Sequence, residues 1–321
     1  MKETLLMISS IFPSCFRVIL YRLLGAEIGS KVRLGIGSVL VFKNSLTIGD
    51  HVSIGSGSLV ICDTGYIGAH SEITPAAFIK VPKFYIGRDC KISYGTIIRS
   101  GHTTKRSELV LGNLVHIFPF VSIDCSRRVI IGDQTGVGPK CSIFTHSSYK
   151  SILDGYSVTY GDVVIGRRVE LTYDVFVAPK VKIGDDAICA YGSYVNKDVP
   201  DGVLAAGLPA MVKRSREQIT ASGVDTKQII DGILHDYREN VTMVNGRTPL
   251  PVCVCISGEA QISGNDSLYV LLDSTAQTCT ASRYGLFDIN RKVCFNHGLP
   301  EADFRGFRKF FSRYGIRFIT Q

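Results

Sequence analysis

The 321-residue chain has no tryptophan, and its ten cysteines include neither a CxxC pair nor a zinc-like spacing, which argues against a zinc or dithiol framework. Cys253 and Cys255 stand two apart, on one face if they lie on a strand. Reduced thiols in a cytosolic protein are the expectation. Long hydrophobic runs are also missing. Leu5 to Leu24 is apolar but is broken by Pro13, Ser14, Arg17 and Arg22, so it is a poor candidate for a membrane-spanning helix. It reads as a capping helix, with a peripheral membrane-surface helix as the second reading. The beginning of the chain shows neither a secretory signal nor the Gly-rich nucleotide loop of a nucleotidyltransferase. No run of Lys and Arg with interleaved aromatics points to nucleic acid.

What is present is glycine, 32 residues, and a positive charge of +8. Of the 36 Lys and Arg, 24 fall in residues 1–214, against 17 of the 28 Asp and Glu. The basic excess therefore lies in the first two-thirds of the chain, where it suits a phosphorylated ligand or an anionic surface. The same stretch is periodic. Ile165, Leu171, Val177, Ile183, Cys189 and Val195 follow one another at six-residue steps. Val169, Val175, Val181, Ala187, Ser193 and Val199 form a second series four residues behind the first. The register recurs upstream, through Ile48 and Ile54, Ile67 to Ile79, Ile86 to Ile98, Leu111 to Ile123, and Ile131 to Ile143.

A period of six fits neither an amphipathic helix nor a simple alternating strand. It predicts a solenoid in which each unit is a short strand and a corner, three units close a coil, and inward aliphatics stack as a ladder. Gly after the aliphatic, as at Ile48, Ile67, Ile86 and Ile131, is expected to allow a bend that a Cβ would obstruct. The predicted order is a capping helix over 1–27, a parallel β-helix over 28–214 and a small α+β domain over 215–321. In the last, helices are expected at Thr226 to Asn240 and Asp303 to Tyr314, and strands at Val252 to Ile256, Leu268 to Leu272 and Ile316 to Thr320. Two breaks in the period mark loops, between Ile98 and Leu111 and between Ile143 and Ile165. Loops on a rigid scaffold are where function concentrates.

Two segments resemble the hexapeptide-repeat acyltransferase family, whose members include galactoside and polysaccharide O-acetyltransferases. Phe144-Thr145-His146-Ser147 precedes a long excursion that returns at Val163-Val164-Ile165-Gly166. Val195-Asn196-Lys197-Asp198-Val199-Pro200 leads to Ala205-Ala206-Gly207-Leu208-Pro209 and Lys213-Arg214. The resemblance implies a left-handed helix, an exception to the right-handed crossover rule, and a homotrimer with sites between subunits. It also implies acetyl-CoA as donor, with no metal, and His146 as general base. A neutral imidazole suits removal of a hydroxyl proton near neutral pH, and backbone N–H groups can stabilise the oxyanion. The same resemblance assigns Asn196, Lys197, Ala206, Gly207, Lys213 and Arg214 to the donor, whose phosphates suit basic side chains. Asp124 and His102 are the acceptor candidates, with Asp124 also placed to orient the His and His102 as a rival base. The chain departs from the family at Val169-Glu170-Leu171-Thr172, where Trp-Gly is frequent. It departs again at Tyr173 and Tyr191, where small residues line the donor groove, and at Met211, where Arg is common.

The leading expectation is transfer of an acetyl group to a hydroxyl of a glycan or glycoconjugate in the cytoplasm, possible membrane contact being peripheral and at the inner face. N-acetylation of an amino sugar, often nucleotide-linked, needs the same base and donor groove and stays open. A non-catalytic β-helix scaffold is the alternative of another class. A zinc lyase on the same fold would need three His across adjacent coils, and His116 and His146 lack a third at short spacing. The C-terminal domain shows no catalytic set. It is expected to recognise an acceptor or partner through Arg305, Arg308, Lys309 and Arg313.

Overall fold

Every aliphatic of the six-residue series points into one ladder core, and the pairing register shows three such ladders. On one face Leu34, Ile54, Ile73, Ile92, Ile117, Val137, Leu171, Cys189 and Ala205 are partners in turn, strand upon parallel strand. A second face stacks Ile28, Ile48, Ile67, Ile86, Leu111, Ile131, Ile165 and Ile183. The third stacks Val60, Ile79, Ile98, Ile123, Ile143, Val177 and Val195. The fold is thus a left-handed parallel β-helix, seen here in a computed structural model. It describes Met7 and residues 9–148, 150–245, 249–255, 258–262, 267–272, 274–279, 281 and 283–320. The chain divides into two compact units, Met1–Thr220 and Ala221–Gln321.

The glycines that follow the inward aliphatics serve a different purpose from the expected bend. Their φ angles are not left-handed. A Cβ at Gly68 would lie 2.6 Å from the carbonyl of Gly87, and one at Gly87 would lie 2.4 Å from the carbonyl oxygen of Gly112. Successive coils approach too closely there for any side chain. The left-handed turn falls two residues later, on His51, His70, Asp89 and Gln134, at φ values of 54–61°.

The open first coil is covered by helix α1, Ser14–Leu23. Arg17 is fully buried and donates to the carbonyls of Leu34, Gly35 and Ser38 and to the Ser38 hydroxyl. The Tyr21 hydroxyl accepts from the amide of Leu40. Together they satisfy backbone groups that a terminal coil would otherwise leave unpaired. Arg17→Ala is therefore expected to lower stability by about 3 kcal/mol, since buried acceptors lose a charged donor. Denaturant unfolding checks this, and an unchanged midpoint would show that the helix does not cap the coil. The outward stripe of α1, Phe16, Ile19 and Leu23, is exposed, as is Phe12 just before the helix. Among the described residues no helix is long and apolar enough to cross a membrane.

Residues 221–321 form a separate sheet of Val252–Cys255, Ser267–Leu271, Tyr284–Asp288, Val293–His297 and Ile319–Thr320, parallel except between Tyr284–Asp288 and Val293–His297. Helices Thr226–Asn245 and Glu301–Ser312 contribute Ile230, Ile233, Leu234, Phe304, Phe307 and Phe311 to its core. Ile256, placed in a strand by its sequence, lies outside the described residues. Phe310 is buried as well. Of the basic residues, Arg305 pairs with Glu301, Arg308 bonds the Thr320 hydroxyl, and Arg313 lies over the Phe310 ring.

Candidate active site

One corner of the solenoid, between the third face and the second, collects the polar groups that the core excludes. The strand Ser122–Asp124 ends on this corner, and Ile123 pairs with Ile143 of the next coil. Asp124 and His146 therefore meet across adjacent coils, with His146 Nδ1 2.7 Å from Asp124 Oδ1. The His side chain is 19% exposed and the Asp side chain 7%.

Asp124 is held from all sides. Its Oδ1 accepts from the Thr145 hydroxyl at 2.8 Å and the Ser126 amide at 3.2 Å. Its Oδ2 accepts from the Ser126 hydroxyl at 3.0 Å and the Gly101 amide at 3.1 Å. Burial opposes ionisation, but the donors from Thr145, His146, Ser126 and Gly101 outweigh it, and the carboxyl stays below its ordinary value. An ionised Asp124 can only accept, so Nδ1 of a neutral His146 must carry the proton. That tautomer leaves the Nε2 lone pair free to take a proton from a substrate.

The excursion that follows folds back as a hairpin, pairing His146 with Tyr160 and Ser147 with Thr159. The Tyr160 ring stacks on His146 at 5.7 Å, and the Arg127 guanidinium covers Tyr160 at 4.5 Å. The other loop brings His102 edge-on to His146, with ring centroids 5.0 Å apart. His102, Asp124 and His146 thus converge. The sequence reading missed Ser126, Thr145, Arg127 and Tyr160. For the first three, register was the available signal, since Thr145 adjoins His146, and Ser126 and Arg127 occupy the same corner one coil earlier; Tyr160 lies in the excursion, outside the repeat register.

The donor candidates divide into separate groups. Asn196 and Lys197 lie on the His146 corner, on the C-terminal side. The Phe144 amide bonds the Val177 carbonyl and the Ala178 amide bonds the Val195 carbonyl, which puts Asn196 two coils beyond Phe144. The rings of Phe144, Phe176 and Tyr194 line the approach, at centroid spacings of 5.4 and 5.5 Å. Ala206 and Gly207 sit against Tyr194, whose amide donates to the Gly207 carbonyl at 3.0 Å. Lys213 and Arg214 are exposed at the far end of the closing strand, where Arg214 pairs with Leu204, one face away from the His146 corner. Tyr173 and Tyr191 stack on another corner at 5.6 Å. His116 bonds Ser93 and stacks on Phe118, apart from His146. Among the described residues no three His, Cys, Asp or Glu are grouped to hold a metal ion.

No family model matches the chain. It is 34% identical over 125 residues to the protein of Escherichia coli assigned as the colanic acid biosynthesis acetyltransferase WcaF, covering 33% of this chain and 69% of WcaF. It is 32% identical over 148 residues to the galactoside O-acetyltransferase of Lactococcus lactis, covering 45% of this chain and 62% of that protein. Across the curated relatives that it matches first, the chain spans 51% to 69% of their length. Among solved structures, the hexapeptide-repeat acetyltransferase VCA0836 of Vibrio cholerae, complexed with acetyl-CoA, is 25% identical with a TM-score of 0.32, covering 38% of this chain and 70% of that one. With six-residue repeats stacked into a parallel β-helix and a relative aligned over two-thirds of its length, the chain belongs to the hexapeptide-repeat acyltransferase family.

Proposed function

We propose that the protein transfers an acetyl group from acetyl-CoA to a hydroxyl of a carbohydrate acceptor. The observation that carries this reading is the Asp124–His146 pair, 2.7 Å apart at the mouth of two loops. His146 Nε2 takes the proton of the acceptor hydroxyl as the oxygen attacks the thioester carbonyl. The oxyanion collapses, the C–S bond breaks, and the CoA thiolate takes the proton from His146 Nε2, which restores the neutral base. No covalent enzyme intermediate is needed when the two substrates are held together. The relatives are named as acetyltransferases, one of them acting on galactosides, which favours a sugar hydroxyl. Release of CoA thiol, measured against sugars, amino sugars and glycans, tests the proposal. Release with amino sugars alone would point to N-acetylation, and none with any acceptor would favour a scaffold.

The donor is proposed to run from His146 past the Phe144, Phe176 and Tyr194 rings to Asn196 and Lys197, with Ala206 and Gly207 beside Tyr194. Lys213 and Arg214 stand one face away, so they would meet a donor in the groove of a neighbouring copy. The homotrimer implied by the family resemblance would supply that copy. Lys197→Glu and Arg214→Glu are each expected to raise KM for acetyl-CoA by about 10-fold, the worth of one charged hydrogen bond. KM for a short acyl thioester lacking the phosphates should move much less. Equal effects on both donors would make these residues structural, and a monomer by light scattering would remove the shared groove.

A further inference from the structure

Opposite charges on adjacent coils are paired along much of this solenoid. Lys91 meets Glu72 at 3.3 Å, Arg128 meets Glu108 at 2.8 Å, Arg167 meets Asp185 at 2.7 Å and Arg168 meets Asp186 at 2.6 Å. The corner that carries His146 breaks this habit on its N-terminal side. There Lys80 and Arg99 are direct register partners, and Arg99 is in turn the partner of Asp124. Like charges placed opposite each other across a strand pair are destabilising. Asp124 makes no described hydrogen bond to Arg99, its oxygens being bonded to Gly101, Ser126, Thr145 and His146, and its one negative charge leaves the Lys80–Arg99 column with a positive excess. The loop after Arg99 adds two further exposed cations, Lys105 and Arg106, and sets His102 against the His146 ring. Among the described residues, none of Lys80, Arg99, Lys105 and Arg106 forms an ion pair.

A strand spacing of about 4.8 Å puts the Arg99 backbone one step, and the Lys80 backbone two steps, from Asp124. The donor candidates Asn196 and Lys197 lie in the opposite direction along the same corner, two coils beyond Phe144. Cations therefore flank the His146 pair on both sides, and a single CoA extending toward Lys197 leaves the N-terminal cations unused.

We infer that Lys80 and Arg99, supported by Lys105 and Arg106, form an acceptor subsite for an anionic carbohydrate, a sugar whose phosphate or carboxylate binds beside its reacting hydroxyl. This rests on the acetyltransferase reading for the identity of the acceptor but not for the existence of the anion site. A guanidinium fork suits both oxyanions, whereas a neutral sugar offers hydroxyl acceptors but no charge to offset the stacked cations. The repulsion built into the column is relieved when the anion arrives, which makes the subsite discriminate by charge.

The test has a binding arm and a turnover arm. Calorimetry uses inorganic pyrophosphate and a uronic-acid oligosaccharide as separate probes of the two oxyanions, on the wild type, Lys80→Glu, Arg99→Glu and Lys197→Glu. The exposed positions of all three residues favour folding of the variants, and circular dichroism checks it. Affinity for at least one probe is expected to fall about 10–100-fold in Lys80→Glu and Arg99→Glu, the range for hydrogen bonds to charged groups, and to fall far less in Lys197→Glu. The probe that responds identifies phosphate or carboxylate. Wild-type protein that binds neither probe, or variants that bind as the wild type does, would overturn the inference. In the turnover arm, the two N-terminal reversals should erase the preference for a charged over a neutral acceptor without raising KM for acetyl-CoA. Efficient transfer to neutral sugars, indifferent to both reversals, would also overturn it. Anion binding lost in these variants, with no CoA release from any acceptor, would instead sink the acetyltransferase reading and leave the subsite standing.

Discussion

His146→Ala is expected to lower kcat by about 10²–10⁴-fold, the usual worth of a positioned general base, while leaving the fold intact. His146 lies on a corner, outside the three ladders of inward aliphatics. Its removal takes nothing from the hydrophobic ladder, and what is lost is the Asp124 bond and the Tyr160 stacking. Circular dichroism should match the wild type, the thermal midpoint should fall only modestly through loss of the Asp124 bond, and acetyl-CoA binding should survive. His102→Ala is the informative comparison. The His102 ring meets His146 edge-on at 5.0 Å but makes no described bond to Asp124, so nothing fixes its tautomer as Asp124 fixes that of His146. Its loss should cost on the order of 10-fold or less, well below the range for a base. Turnover kept by His146→Ala but lost by His102→Ala would reverse the two roles.

The solenoid was readable because its physics is one-dimensional. Each coil buries the same three positions, so Ile165, Leu171 and Val177 announce three faces before any coordinate is known. Pairing across coils was equally readable, since residues in the same register become neighbours; Asp124 beside His146 follows from Ile123 stacking on Ile143. The same rule would have found Lys80 and Arg99, which follow Ile79 and Ile98 as Asp124 follows Ile123. Less was visible where the period fails. The hairpin that brings Tyr160 onto His146 depends on a turn within the excursion, and no repeat marks it. The role of glycine was misjudged for a related reason. A single coil suggests a bend, whereas the obstruction comes from the neighbouring coil, as at Gly87 against Gly112. The separation of Arg214 from Lys197 was hidden because the closing strand runs antiparallel, out of the repeat register.

Asp124→Asn is expected to lower kcat by about 10²-fold or more with little change in either KM, because the carboxylate sets the His146 tautomer without touching substrate. An amide cannot accept on both sides. If its oxygen faces His146 and Thr145, its NH₂ meets the Gly101 N–H and the Ser126 hydroxyl. If it is flipped, the NH₂ faces Nδ1 and favours the tautomer whose proton sits on Nε2, which cannot act as a base. The double variant Asp124→Asn with His146→Ala should be hardly worse than His146→Ala alone, since the two act as one unit. A purely structural role would give additive losses instead. The same carboxylate predicts an acid limb in stability. Its folded pKa lies below the ordinary 3.8, so its ionised form stabilises the fold fully at neutral pH. That contribution is lost as pH falls below 3.8 toward the folded value. Denaturant unfolding of wild type and Asp124→Asn should therefore show a stability gap that is widest at neutral pH and narrows in acid. A gap that stays constant across that range would mean that the hydrogen bonds to Asp124 do not favour its charged form. The tautomer argument for His146 would then lose its support.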